Sequence, residues 1–495
     1  MPNVFDALAG AVEDRQRPFI LRDDAPDITY AAMHEITARQ GGTLRAAGVG
    51  VGDVVALLVE KSAEALMLYL AISRIGAVAL PVHVGLSRAE IDLILSDAAP
   101  SLIVCDPAFA EAVGGIAPVL TLDAKAEGTF RAAFDGAEPV RDSVDLPADA
   151  WNAIVYTSGT TGRPKGAIIG VEQVVWNVTA ISTTWKIGPG DVLLHLNLMA
   201  YGIFATMLPV LAAGGAIRLV ADSAIDTILA NLPRVTMMAS VPTVYHRLLR
   251  EARFDRAACR SMRLFITGSA PMREDLFNAF RERTGHELLD RYGMTEALLI
   301  SSNRVDEARA PGNSGYALPD SQIRIRDGEG RTLPATAVGG IEVRQPAPFI
   351  GYLNHPEKTA EAFTEDGWLI TGDFGHLDER GRLTVLGRGF ELIITGGLNV
   401  YPKEVELAIN AMPGVLESAV IGVPHADYGE AVVAVIELDG HGAGFSAEAA
   451  RNLLRASLAG YKVPKHWEIV ERLPRNALGK VKKRELQEML QAHFA

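Results

Sequence analysis

The sequence predicts an α/β fold in which a large N-terminal domain of doubly wound sheets is followed by a small α+β C-terminal domain. Three observations carry this expectation. Apolar strand-like runs alternate with helix-like stretches through most of the chain, the pattern of strand-helix-strand units with parallel sheets. A loop rich in glycine and hydroxyls follows a short buried strand at 152–156, and near residue 388 the alternation gives way to a more compact pattern. At 495 residues, and with domains of roughly 100–200 residues, the chain is longer than a single module.

Taken in order, residues 52–60 read as a strand and 62–75 as a helix capped by Ser62, whose hydroxyl can accept from a first-turn amide. Residues 125–147 are polar and irregular and connect substructures. From 192 to 217 there is no Asp, Glu, Lys or Arg, a length that would suit a membrane span. His195, Asn197, Gly202, Pro209 and the pair Gly214-Gly215 interrupt that run, so it is read as the wall of a core or ligand pocket. Residues 234–239 and 241–250 form another strand-helix unit, and 263–267 is a strand leading through Gly268-Ser269-Ala270-Pro271 into a helix over 272–284. A hairpin with Glu379-Arg380-Gly381 as its turn occupies 373–387. Beyond it, 402–412 and 446–458 read as helices and 416–423 and 431–438 as strands. The expected domains are 1–387 and 391–495, joined through 388–390.

Lys and Arg number 47 against 60 Asp and Glu, a formal charge of -13, which argues against broad attraction to nucleic acid or an anionic membrane. The two cysteines, Cys105 and Cys259, cannot make a disulfide framework or a multi-cysteine metal site. Each lies in or beside an apolar stretch and is expected to be buried. Residues 1–13 lack the basic start and continuous apolar core of a secretory leader, so a cytoplasmic address is expected. Gly442-Ala443-Gly444-Phe445-Ser446-Ala447 superficially matches a dinucleotide fingerprint, but no doubly wound unit surrounds it.

The strongest chemical signal is Tyr156-Thr157-Ser158-Gly159-Thr160-Thr161-Gly162-Arg163-Pro164-Lys165-Gly166. Its glycines let backbone amides approach phosphate oxygens, while hydroxyls and a lysine supply donors and charge. It is not a Walker A loop, because Pro164 and Gly166 flank the lysine where that pattern needs Gly and Ser or Thr. Further along come Gly268-Ser269-Ala270-Pro271, Tyr292-Gly293-Met294-Thr295-Glu296, Thr371-Gly372-Asp373, Arg388, Gly396-Gly397 and Asn476-Ala477-Leu478-Gly479-Lys480.

In that order, over residues 156–480, these motifs resemble those of the adenylate-forming superfamily of acyl-CoA synthetases, adenylation domains and luciferases. The resemblance implies that superfamily's fold, a mobile C-terminal domain turning on the 388–390 hinge, and ATP, Mg²⁺ and coenzyme A as reactants and cofactor. It implies that Thr157, Ser158, Gly159, Thr160, Thr161, Gly162 and Lys165 hold the β- and γ-phosphates, and that Gly268, Ser269, Ala270 and Tyr292 border the adenylate. Glu296, with Thr161, would hold Mg²⁺, Thr295 would contact the α-phosphate, and Asp373 would accept from the ribose hydroxyls, with Arg388 nearby. Lys480 would bridge the substrate carboxylate and the α-phosphate during adenylation. The small domain would then rotate and present the face around Gly397 to the thiol path, where a glycine allows close approach of a pantetheine arm. These residue types suit the task, since joining a carboxylate to the α-phosphate brings two anions together.

Within the superfamily the chain looks most like acid:CoA ligases of the malonyl-CoA synthetase type. Arg291, just before Tyr292, matches a carboxylate ligand of that subgroup and could pair bidentately with a second carboxylate. The subgroup's His-x-His-Gly segment is replaced by Met199-Ala200-Tyr201-Gly202, which resembles benzoate-type ligases. Met199, Tyr201, Gly202, Ile203, Phe204, Arg291, Gly293, Met294, Ala297 and Ile300 are the candidate walls. The expected reaction is ATP-dependent formation of an acyl-CoA from a small acid: malonate or methylmalonate, or a compact aryl, alicyclic or short branched acid. A stand-alone adenylation enzyme loading a carrier protein is the alternative, and a non-catalytic ligand-binding member a third reading. No motif sets the oligomeric state, and a homodimer stays open. At the hinge Phe390 stands where the superfamily usually has Asp or Lys, which is expected to bias the chain towards the domain arrangement that buries it.

Overall fold

The computed structural model describes residues 3–491 apart from 11, 24, 158–163, 197–201, 221, 269–271, 273, 389–390, 396–397, 401, 426–428, 441–444, 459 and 477–479. The chain folds into two compact units, Met1–Ile323 with Glu342–Ile370, and Arg324–Ile341 with Thr371–Ala495. This division by packing falls ahead of the expected 388–390 segment, because the hairpin after residue 370 groups with the C-terminal unit.

The first unit holds two mainly parallel sheets. Among the described residues, one has seven strands in the order Gly351–Tyr352, Lys165–Gly170, Trp151–Thr157, Val78–Pro81, Val54–Leu58, Leu102–Cys105 and Val119–Thr121. The other has nine, in the order Tyr316–Ala317, Leu298–Ser302, Leu288–Met294, Leu264–Thr267, Met237–Ser240, Val192–His195, Ala216–Leu219, Pro18–Leu21 and Ile28–Thr29. Strands covered on both faces read as continuous apolar runs, as Val54–Leu58 and Leu102–Cys105 do. The helix Ala63–Arg74 starts where its N-cap dictates: Ser62 Oγ accepts from Ala65 N at 3.1 Å, a contact that stabilises a helix by about 1 kcal/mol. Almost the whole helix is buried, which explains its apolar composition on every face.

The uncharged run at 192–217 resolves into the strand Val192–His195, a π-helical turn Ile203–Met207, the helix Leu208–Ala212 and a strand from Ala216. Leu193, Ile203, Phe204, Met207 and Ile217 join the main core with Leu66, Val178 and Leu264, while Leu194 joins a second core with Phe265, so the described part of the run is interior. No helix among the described residues is long and apolar enough to cross a membrane. Cys105 and Cys259 are buried, and burial pushes their thiols up to about 11 and about 12.

The second unit contains, from Thr371 onward, the antiparallel pair Leu369–Leu377 and Leu383–Arg388, the hairpin read from the sequence. It also contains a sheet ordered Leu398–Val400, Ile393–Thr395, Gly429–Leu438 and Val415–His425, with His466–Val470 parallel to Gly429–Leu438. The period-two rule of strands splits its interior in two. Val432, Ala434 and Ile436 share a core with Val405, Ile409 and Leu454, while Val433 and Val435 meet Leu486 and Leu490 of the helix Lys483–Gln491.

Candidate active site

In the first unit, strands Trp151–Thr157 and Lys165–Gly170 are antiparallel neighbours in which Thr157 pairs with Lys165. The hydroxyl-rich loop therefore leaves and returns at one point, with the lysine at its base. Ser158, Gly159, Thr160, Thr161 and Gly162 lie outside the described residues, as do Met199, Tyr201, Ser269, Ala270 and Gly397. On the strand Trp151–Thr157, Tyr156 Oη donates to Asp97 Oδ2 at 2.5 Å, and Asn354 Nδ2 donates to the same residue's Oδ1 at 3.1 Å.

Thr295, Glu296 and Ala297 make the turn between Leu288–Met294 and Leu298–Ser302. Gly293 is required here, since a Cβ would lie 2.1 Å from the Leu298 carbonyl oxygen. Leu298 takes φ 53°, a left-handed conformation that costs a branched residue about 1–2 kcal/mol. Hydrogen bonds from buried amides hold the turn in that state. Gln173 Nε2 donates to Glu296 O at 2.7 Å, Asn177 Nδ2 to Leu299 O at 2.9 Å, and Gln345 Nε2 to Ala297 O at 3.0 Å. Gln173 and Asn177 are one turn apart on the helix Val171–Thr184, so they face the same way.

The Glu296 carboxylate is buried, and Tyr352 Oη donates to its Oε1 at 2.7 Å. Lys165 Nζ stands 5.0 Å from the centroid of that same tyrosine ring, within cation-π range. A cation and a carboxylate from two distant sequence motifs are thus joined through one phenol that the motifs do not include. Ala297 and Ile300 are fully buried in the main core, with Tyr292 and Met294 packed partly exposed against it. Gly202 is buried, and its carbonyl accepts from Thr206 Oγ1 at 2.8 Å across the π-helical turn.

Arg291 packs against Gly268 so closely that a Cβ there would lie 2.7 Å from its Nε. That Nε is buried and has no hydrogen-bond partner among the described residues. Asp290 beside it is buried, and desolvation raises its carboxyl to about 8 even though it accepts from Arg291 N at 2.9 Å. Burial thus favours the protonated form of Asp290, which weakens the charge compensation it offers the neighbouring guanidinium.

In the second unit Asp373 is buried on the strand Leu369–Leu377, opposite Arg388, which is described through its backbone alone. Gly372 takes φ 73°, and Asp373 N donates to Thr371 Oγ1 at 3.1 Å. Lys480 is exposed. Its N donates to Asn476 Oδ1 at 3.0 Å, and its carbonyl accepts from Asn476 N at 2.9 Å, so one asparagine closes the turn that presents it.

No group of three or more His, Cys, Asp or Glu among the described residues forms a metal cage. The buried Glu296 carboxylate suits Mg²⁺, which keeps its waters and is held by one or two carboxylates and the phosphates of a substrate.

In the first unit, one mainly parallel sheet ends in the hydroxyl-rich segment with a lysine at its base and the other in a buried glutamate turn; the second unit, taken by itself, carries an exposed lysine. The chain belongs to the AMP-binding enzyme family. The family model matches residues 9–353, and that of the AMP-binding enzyme C-terminal domain matches 404–480. Among curated relatives, a feruloyl-CoA synthase of Amycolatopsis sp is 34% identical over 94% of this chain and 95% of its own. The mitochondrial malonate-CoA ligase of Mus musculus is 32% identical over 84% and 78%. Among solved structures, ATP-bound MatB from Rhodopseudomonas palustris covers 100% of both chains at 41% identity with a TM-score of 0.97. The chain is an AMP-forming acid:CoA ligase with the α/β fold of its superfamily.

Proposed function

We propose that the enzyme activates a small organic acid that carries a second anionic group, malonate or methylmalonate being the candidates, and transfers it to coenzyme A. The substrate carboxylate attacks the α-phosphorus of ATP, forming an acyl-adenylate and releasing pyrophosphate. The CoA thiol then attacks the acyl carbon, losing its proton, and AMP leaves. The observation that carries the acid class is Arg291, whose buried Nε has no hydrogen-bond partner among the described residues and whose neighbour Asp290 is pushed by burial towards its protonated form. A charge so placed calls for an anionic partner. Malonate stands in the names of two relatives, while the feruloyl relative keeps a compact aryl acid as the second reading.

In this reading Lys165 and the hydroxyl loop neutralise the departing phosphates, and Thr295 lies by the α-phosphate. Asp373 receives the ribose hydroxyls with Arg388 beside it, Lys480 bridges the two reacting anions, and Gly397 borders the thiol path. Glu296, with Thr161, holds Mg²⁺, which when bound neutralises phosphate charge. Gly268, Ser269, Ala270 and Tyr292 border the adenine. Light scattering reads the oligomeric state, which no motif sets and for which a homodimer is one outcome.

Pyrophosphate release with ATP and Mg²⁺ tests the reading across malonate, methylmalonate, propionate, isobutyrate, benzoate and cyclohexanecarboxylate, each with and without CoA. The diacids should give CoA-dependent turnover, and Arg291→Met should lower kcat/KM for them by at least about 100-fold with a smaller effect on monoacids. Benzoate preferred by the wild type, and insensitive to Arg291→Met, would move the specificity element to the segment around Tyr201. Turnover with a carrier protein but not with free CoA would favour the carrier-loading alternative.

A further inference from the structure

We infer that Tyr352, which no sequence motif singles out, is a positioning residue that orients both charges of the first unit's site: the Glu296 carboxylate through its hydroxyl and the Lys165 ammonium through its ring. The inference rests on the proposed reading in that Glu296 receives the cation and Lys165 the phosphates. Its geometric basis is independent of that reading. The phenol donates to Glu296 Oε1 at 2.7 Å, and Lys165 Nζ lies 5.0 Å from the ring centroid. A donor on Oε1 leaves Oε2 as the oxygen to offer a cation, and hydrogen bonds to a carboxylate are the strong, orienting kind.

The ring is held in place from several sides. The strand Gly351–Tyr352 pairs antiparallel with the strand that begins at Lys165, Tyr352 opposite Ala167. Tyr352 N donates to Thr359 Oγ1 at 2.9 Å, Leu353 N donates to Gly166 O at 2.8 Å, and the Phe349 ring meets the tyrosine edge-on at 4.9 Å. Gly351 lets the chain pass, because at φ 154° a Cβ would lie 2.9 Å from the Thr359 side chain. Asn354 ties the end of the segment to Asp97, which in turn takes the Tyr156 hydroxyl. The bonds that fix Tyr352 thus run back to the two strands flanking the hydroxyl loop. Partners that orient a metal-binding carboxylate are worth about 10- to 100-fold in metal affinity.

The two functions of the side chain can be separated by substitution. Tyr352→Phe removes the hydroxyl and keeps the ring, and Tyr352→Leu removes both. Calorimetry measures ATP binding first without divalent cation and then with Mg²⁺ or Mn²⁺, with acid and CoA absent. Pyrophosphate release against Mg²⁺ concentration supplies the kinetic arm. Tyr352→Phe should raise the Mg²⁺ needed for half-maximal binding and turnover about tenfold, the effect falling on that requirement more than on the turnover reached at saturation. Metal-free ATP binding should change in Tyr352→Leu and much less in Tyr352→Phe. A double-mutant cycle with Glu296→Gln should be non-additive, since the two residues act through one bond.

An unchanged Mg²⁺ requirement in folded Tyr352→Phe, or additivity with Glu296→Gln, overturns the inference while leaving the ligase reading intact. A wild-type enzyme that binds ATP equally with and without Mg²⁺ overturns instead the cation role given to Glu296, and the inference with it. Thermal melting establishes that each variant is folded. If Tyr352→Leu does not fold, Tyr352→Phe, which loses a single oxygen, still decides the hydroxyl's part.

Discussion

Asp290 and Arg291 are neighbours in sequence, yet burial acts on them in opposite senses. Desolvation raises the Asp290 carboxyl from 3.8 to about 8 and lowers the Arg291 guanidinium from its ordinary value. For Asp290 the linkage has a definite sign. Between about pH 4 and pH 8 the unfolded chain has released this proton and the folded chain keeps it, so stability falls as pH rises through that window, by up to about 1.4 kcal/mol per unit. Asp290→Asn retains an oxygen to accept from Arg291 N and cannot ionise. Its melting temperature relative to wild type should therefore rise by a few degrees between pH 5 and pH 8. A gap that stays constant or narrows over that range would mean that Asp290 is ionised and paired with Arg291, and the anionic-substrate reading would lose its support. The arginine was legible in the sequence through its place before Tyr292. The burial of its Nε against Gly268, with no partner among the described residues, was not, because it depends on the parallel pairing of Leu264–Thr267 with Leu288–Met294.

The Glu296 turn is held less by its own residues than by a helix and a strand far away in sequence. Leu298 in a left-handed conformation and Gly293 under the Leu298 carbonyl keep the hairpin tight, while Gln173, Asn177 and Gln345 occupy its carbonyls. Asn177 also accepts from Leu299 N at 3.3 Å. Asn177→Ala removes the Leu299 N–H's side-chain acceptor and one of two donors to the Leu299 carbonyl, which keeps Gln345 Nε2 at 3.1 Å, and should cost about 1 kcal/mol in a urea melt. Gln173→Ala touches the Glu296 carbonyl itself. It should cost about 1 kcal/mol while slowing pyrophosphate release by roughly tenfold. Equal effects of the two substitutions on activity would argue that the clamp is structural only. Two amides at i and i+4 in an otherwise apolar helix are a sequence signal that could have marked this clamp. Tyr352 had no comparable signal, since a lone aromatic after glycine is ordinary in a strand. The boundaries of 62–75, 263–267 and 373–387 were readable because caps, apolar runs and turn residues act locally. The strand Gly339–Arg344 and the pairing of Gly351–Tyr352 were not, because short strands of mixed polarity depend on their neighbours.

At the scale of the molecule, what matters is how the second unit carries Lys480. Arg475 pairs with Glu417, and lies 3.6 Å from Glu437, while Arg475 and Val481 bridge the two sides of the turn. Two residues further on, Lys483 is bonded to Glu391 at 2.6 Å and to buried Glu406 at 2.7 Å. Glu391 immediately follows Phe390, so the chain just after the expected hinge is tied to the base of the Lys480 segment. Breaking such a buried pair is costly, which favours the strand Ile393–Thr395, the helix Lys483–Gln491 and Lys480 moving as one body. Any swivel is then taken up before Glu391, where this chain has Phe390 in place of a polar side chain. A phenylalanine favours whichever arrangement buries it, whereas an aspartate is hydrated in both. Phe390→Asp should therefore speed the slower half-reaction several-fold, read by single-turnover adenylation and by thioester formation from preformed acyl-adenylate. An unchanged ratio of the two rates would show that the hinge residue does not set the alternation, and would shift attention to the Lys483-Glu391 anchor itself.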